Sequence, residues 1–198
     1  MLCPMCNDFQ LKAGIHYLIE TFRGTQLSLS FPGGLPNLEP REDVRITDRS
    51  PIVRMTEQGA SLEIMRWSWP GPQGKPVYNF RSEGRRFGSG RCLVFADGFY
   101  EFTNPEDPKQ KRKDKWRFTL KGHEVFAIAG VWRAGAAMGE DAFSLLTTEP
   151  GPDIAPYHSR QIVVLAPDAW GRWLSHAPNE AELLVPAQAG SLAVEKVG

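Results

Sequence analysis

The chain has 198 residues, 41% hydrophobic and 23% charged, which suits one globular domain large enough to bury a core without disulfides or a metal. Lys plus Arg and Asp plus Glu number 23 each, so bulk charge selects no partner and any nucleic-acid binding must come from a local patch. No apolar run approaches the roughly 20 residues of a membrane span, the first residues lack the pattern of a secretion signal, and three cysteines form no disulfide framework, so a reducing, cytoplasmic compartment is expected.

In chain order, the N-terminus reads MLCPMCND. Asp8 is placed to cap a helix over about 9–23, where Leu11, Ile15, Leu18 and Phe22 recur at spacings of 4, 3 and 4. FPGGLPNLEPRED is a Pro/Gly loop, and PIVRM and SLEIMRW read as short strands with a turn at EQGA. After the loop within RWSWPGPQGKP, the runs RCLVFADGFYEF, KWRFTL, VFAIAGVWR and AFSLLTT are rich in β-formers, and IVVL at 162–165 is a further buried strand. DAWGRWL and NEAELL read as short helices and SLAVEKV as a closing strand. NPEDPKQKRKDKWR carries Lys109, Lys111, Arg112, Lys113, Lys115 and Arg117; it reads as a solvated hairpin tip, with a phosphate-binding arm as the alternative. Period-2 patterning without regular βαβ alternation predicts a single α+β domain over 1–198, built on a curved, mostly antiparallel sheet or barrel with a few flanking helices.

Four stretches carry candidate chemistry. The CxxC of Cys3 and Cys6 is a weak zinc or redox signal: Cys92 lies alone in an apolar strand, no His stands at finger spacing, and no strand precedes the pair. Cys6 has another use. If translation begins at Met5, or residues 1–5 are removed, Cys6 becomes N-terminal, and its amine and thiol together can condense with an aldehyde into a thiazolidine ring, which no internal cysteine can do. The bland alternative is a tail with two incidental cysteines. In VYNFRSEGRRF, Asn79, Arg81 and Glu83 alternate on one strand face, followed by Arg85 and Arg86; the stretch is a phosphate grip or a surface strand with an ion pair.

In LVFADGFYEF, Asp97-Gly98 signals a turn or bulge, and Glu101 stands among Phe99, Tyr100 and Phe102, where a carboxyl of raised pKa suits acid/base work; a surface Glu on a strand with a wet outer face is the alternative. In PDIAPYHSRQIVVL, His158 stands at a loop-to-strand junction with Arg160 two residues on, whereas His16, His123 and His176 sit in a helix, at a turn and after a helix. A structural His under the loop is the alternative there.

Together these stretches resemble the SOS response-associated peptidase (SRAP) family. Met5-Cys6-Asn7 stands where the family begins Met-Cys-Gly-Arg or Met-Cys-Asn, and Asn79-Phe80-Arg81-Ser82-Glu83 resembles its Asn-Ala-Arg-x-Glu strand. Ala96-Asp97-Gly98-Phe99-Tyr100-Glu101-Phe102 resembles its Ala-Asp-Gly-aromatic-aromatic-Glu-Trp run, and His158-Ser159-Arg160 its His-x-Arg junction. The likeness covers nearly the whole chain in family order, with PNLEP at 36–40 fitting the family's Tyr-Asn-x-Ala-Pro loop.

The resemblance implies a covalent sensor of abasic sites in single-stranded DNA, with a proposed autopeptidase step that exposes the cysteine. Carried over, Cys6 supplies amine and thiol, Asn79 holds the cysteine backbone, Glu101 moves the proton that opens the sugar, and His158 assists Schiff-base formation and reversal. Arg81 and Arg160 would hold flanking phosphates, and Trp67 and Trp69 would stack on unpaired bases. The implied partner is single-stranded DNA with abasic sites; no cofactor, metal or membrane is implied, and a monomer of the bacterial cytoplasm or nucleoid is expected.

Three departures stand out: residues 1–4 have no family counterpart and would block the Cys6 amine, the family's Arg two places after the cysteine is Asp8, and the Pro after the His-x-Arg pair is Ile162. Two other functions remain open, a true autopeptidase acting on its own leader and a noncovalent single-stranded-DNA binding module with a blocked terminus.

Overall fold

The computed structural model describes residues 6–107, 109–175 and 179–198; Cys3, the segment 1–5 and His176 lie outside them. The strands in chain order are β1 (Asp8–Leu11), β2 (Leu29–Ser30), β3 (Arg41–Arg45), β4 (Arg49–Thr56), β5 (Gly59–Trp67), β6 (Trp69–Pro70), β7 (Pro76–Val77) and β8 (Asn79–Arg81). They continue as β9 (Arg91–Ala96), β10 (Gly98–Thr103), β11 (Asp114–Leu120), β12 (Phe126–Ala137), β13 (Glu140–Thr148), β14 (Gln161–Ile162), β15 (Val164–Leu165) and β16 (Leu192–Lys196). Two α-helices, α1 (Ile15–Arg23) and α2 (Pro167–Leu174), complete the α+β fold. None of the described helices is long and apolar enough to cross a membrane.

One sheet runs β16-β11-β10-β1-β3. The other closes on itself: β12, β9, β4 and β5 pair antiparallel in turn, β13 pairs antiparallel with β12, and Ala142 and Phe143 of β13 pair in parallel with Arg66 and Trp67 of β5. The ring has two buried faces. On β9, Leu93 and Phe95 face a cluster with Leu18, Phe22, Trp170 and Trp173 from the helices, while Cys92, Val94 and Ala96 face a second cluster shared with the other sheet. Burial on both faces is why RCLVFA reads as a continuous apolar run. Gly130 on β12 is required where strands cross Cys92: a Cβ there would stand 2.8 Å from the Cys92 sulfur.

The mostly antiparallel curved sheet is as expected, and three local expectations are corrected. Residues 8–11 form a strand, not the start of a helix, because Phe9 pairs with Phe99 and Val44 and all four residues are buried. The helix starts only after Gly14, and Asp8 turns its carboxylate to Lys115, 2.9 Å away, instead of capping. IVVL is divided: Ile162 pairs with Thr147 on β13 whereas Val164 pairs with Ile128 on β12. NEAELL is a single 3-10 turn at Glu180–Glu182.

Candidate active site around Cys6

Cys6 enters the cluster between the sheets immediately before β1 and is 1% exposed. Its placement follows from β1 lying between β10 and β3, with the far end of β1 anchored by Asp97. The Asp97 carboxylate accepts hydrogen bonds from Gln10 Nε2 at 2.7 Å, from Ala13 N at 2.9 Å and from Lys12 N, while Asp97 N donates to Gln10 O at 3.0 Å. The Tyr100 hydroxyl lies 2.9 Å from Gln10 Oε1. Asp97-Gly98 is thus the junction where the chain leaves the closed sheet for the second one, and its acidic side chain ties down the strand that carries the cysteine.

Three contacts define the backbone and thiol of Cys6. Its N–H donates to Glu101 Oε1 at 3.3 Å, its carbonyl accepts from Asn79 Nδ2 at 3.2 Å, and its Sγ donates to Asp8 O at 3.7 Å. Asn79 reaches it because β8 pairs in parallel with β13, Asn79 opposite Leu145. Glu101 reaches it because alternation on β10 turns Glu101 and Phe99 inward together. Glu101 is fully buried, and burial pushes its carboxyl up to about 8 against the lowering effect of the Cys6 N–H. Oε2 is buried without a hydrogen-bond partner among the described residues. Burial also raises the Cys6 thiol well above its ordinary value, with the nearby Glu101 adding to the shift, so the resting sulfur is protonated.

His158 lies on the segment between β13 and β14, whose Ile154 and Tyr157 pack in the same cluster as Cys6. The Tyr157 ring stands 4.8 Å from Trp116 and 5.2 Å from Phe118, on the strand paired with β10. His158 Nδ1 lies 3.1 Å from Arg160 N and 3.2 Å from Arg160 O, so the ring is held against the backbone two residues on.

The cationic and aromatic candidates separate into different settings. Arg160 is bound in a fork to Glu83, Nη1 to Oε1 at 2.6 Å and Nη2 to Oε2 at 2.8 Å, and Nη2 also reaches Thr147 O at 3.0 Å. The pair holds the Glu83 carboxyl below its ordinary range, so a phosphate must displace Glu83 to claim this guanidinium. Glu83 itself lies beyond the end of β8, leaving Asn79 and Arg81 as the alternating pair on the strand; Arg81 is exposed. Arg85 covers the Phe80 ring at 4.6 Å, and Arg86 is exposed.

Trp67 is a core residue, contrary to its expected stacking role. It is 0% exposed, its ring parallel to Phe143 at 6.4 Å and against Phe9 at 5.2 Å, so no ring face is open to a base. Trp69, 5% exposed, borders a cavity of about 480 Å³ and lies under Arg133 at 5.0 Å.

Two cations stand near candidate residues without having been placed there by the sequence: Arg133 ends an apolar run, and Lys115 is one of the several cations named in the hairpin. Lys115 bridges Asp8 at 2.9 Å and Asp43 at 2.5 Å, so the acidic residue two places after the cysteine is charge-compensated from the neighbouring sheet strands. Among the described residues no group of His, Cys, Asp or Glu is arranged to hold a metal ion.

A buried cysteine clamped by a carboxyl at its nitrogen and an amide at its carbonyl, between a closed sheet and a second sheet, defines a cysteine-centred site on an α+β fold. Residues 5–198 match the model of the SOS response associated peptidase (SRAP) family, and the chain belongs to that family. Among curated relatives, Abasic site processing protein YoaM of Bacillus subtilis is 26% identical over 216 residues, covering 98% of this chain and 91% of its own. Abasic site processing protein YobE of the same organism is 24% identical, covering 98% and 94%. The phage SPbeta protein YoqW, likewise named an abasic site processing protein, is 25% identical and covers 91% and 84%. Solved structures from Bordetella bronchiseptica (TM-score 0.71, 22% identity, 98% of this chain and 100% of that one) and Bacteroides thetaiotaomicron (0.72, 17%, 98% and 92%) share the fold.

Proposed function

We propose that the protein captures abasic sites in single-stranded DNA as a covalent thiazolidine through Cys6. The observation that carries this reading is the clamp on Cys6: a buried carboxyl of raised proton affinity at its nitrogen, 3.3 Å away, and Asn79 at its carbonyl, 3.2 Å away. The names of the relatives, abasic site processing proteins, support the same substrate.

The chemistry needs a free amine, so the active species begins at Cys6. Hydrolysis of the Met5–Cys6 peptide bond, the autopeptidase step, releases residues 1–5 and leaves that amine beside Glu101. Ring opening of the abasic sugar moves a proton off the anomeric hydroxyl and onto the ring oxygen. Glu101 suits both transfers, since Oε1 holds the Cys6 nitrogen and Oε2 is unpaired. The amine then adds to the aldehyde with loss of water, giving an imine. The thiol adds to the imine carbon and its proton passes to nitrogen, closing the five-membered ring with no net redox change. Glu101, as carboxylate, takes the thiol proton that burial otherwise retains. His158 assists imine formation and its reversal, and Arg81, and Arg160 once freed from Glu83, hold flanking phosphates.

The test pairs the terminal mass of the protein with a denaturing gel. Protein beginning at Cys6 should form a stable adduct with an abasic single strand and none with an intact strand. A folded Cys6-terminated protein that forms no adduct would overturn the covalent reading and leave noncovalent binding.

A further inference from the structure

A cavity of about 720 Å³ opens beside the cysteine, on the outer side of the β1 end, and is lined by Asn7, Asp8, Arg45, Arg112, Lys113 and Lys115. Its charges are unequally used. Lys115 is occupied by Asp8 and Asp43, and Arg45 lies 3.4 Å from Asp43. Arg112 and Lys113 are exposed and ion-paired to nothing among the described residues.

Asp107 and Asp114 at the base of their hairpin are engaged elsewhere, and Glu106 is exposed. Asp107 accepts from Lys109 N at 2.8 Å, and Asp114 takes Gln110 Nε2 at 2.9 Å and Lys196 Nζ at 2.9 Å. Gln110 Nε2 also donates to Arg112 O at 3.0 Å, bracing the hairpin where the two free cations stand. In a chain of zero formal net charge, these cations share a cavity wall with Asn7, the residue after Cys6.

We infer that this cavity is a seat for a backbone phosphodiester of the DNA strand on one side of the captured sugar, held by Arg112 and Lys113 with Lys115 beneath them. The inference rests on the covalent reading only for the identity of the strand. A sugar held at Cys6 carries its neighbouring phosphates past Asn7 onto the cavity wall. Lys115 supplies from β11 the positive charge that Asp8 removes from the cysteine's own strand. A backbone phosphodiester suits the seat because its donors, Arg112 and Lys113, are long side chains that share the cavity wall with Asn7, next in the chain to Cys6.

The experiment measures noncovalent binding of a labelled single strand by Cys6→Ser protein as a function of salt, so covalent capture plays no part. Arg112→Glu/Lys113→Glu should weaken binding at least tenfold at low salt and flatten the slope of log affinity against log salt by about 0.7 for each phosphate no longer neutralised. Lys109→Glu/Lys111→Glu, an equal charge change on the same hairpin outside the cavity, should weaken binding much less. An unchanged slope in the first variant, or equal losses in both, would overturn the seat. Because the assay needs no abasic site, failure of the covalent reading would not disturb it.

Discussion

The closed sheet has two faces that are equally dry and differently equipped. Behind it, α1 and α2 press Leu18, Phe22, Trp170 and Trp173 onto Leu93, Phe95, Ala127 and Ala129. The polar atoms of both tryptophans are paired there, Trp170 Nε1 to Leu165 O and Trp173 Nε1 to Cys92 O, each at 2.9 Å. In front, between the sheets, the same strands cover a thiol whose proton affinity burial raises and a carboxyl whose Oε2 has no hydrogen-bond partner among the described residues. Unpaired buried polar groups cost stability. The rear face therefore carries the fold, and the front face spends some of that stability on groups whose proton affinities suit chemistry.

The comparison breaks most completely at Cys6. Cys6→Ser should fold, yet form no stable adduct with abasic single strands, since its amine can yield at most a transient imine at neutral pH without a thiol to close the ring; a denaturing gel reads the result. On the rear face, Trp170→Ala should cost about 3–5 kcal/mol of stability by urea titration, while molecules that remain folded below the transition crosslink at the parent rate. Loss of rate without loss of stability would erase the division between faces.

Glu101→Gln sharpens it. The variant keeps an acceptor for the Cys6 N–H, yet crosslinking should slow by about ten- to a thousandfold. Its stability should move the other way. A carboxyl raised to about 8 in the folded state favours folding fully only below the ordinary carboxylate range, and that contribution is lost as pH rises through about 8. The urea midpoint of the parent should consequently fall between pH 6 and 9 by more than that of the variant. Asp8, raised by burial to about 6, acts mainly below this window. Smallest of all, Cys92→Ala should cost about 1 kcal/mol and leave adduct yield intact, since Cys92 is fully buried against Gly130 and plays no part in the site.

Much of the front face was legible from residue order. The strands around Glu101 and at 51–67 follow from period-2 patterning, and Cys6, Asn79 and Glu101 do converge. What escaped was set by pairing across the chain. Phe9 and Leu11 fit a helical stripe as well as a strand buried on both faces, and only Phe99 and Val44 decide between them. Trp67 received a stacking role only from the family resemblance, and Phe143 and Phe9 cover it. The Glu83–Arg160 and Asp8–Lys115 pairs join residues 77 and 107 positions apart, beyond any local pattern.

The position of β1 inside its sheet has a consequence for how the protein is made. Its partners are supplied by residues 41–45 and 98–103, and Asn79 is set by pairing with Leu145. The strand that follows Cys6 must therefore wait until residue 145 has been made before Cys6 meets both of its clamps, a delay on the order of ten seconds at typical synthesis rates. Glu101 can reach the Cys6 nitrogen once β10 has been made, whereas Asn79 is fixed only when β13 follows. On the proposed function, a chain that stops between the two has the acid–base group at the cysteine but not the amide that holds its carbonyl.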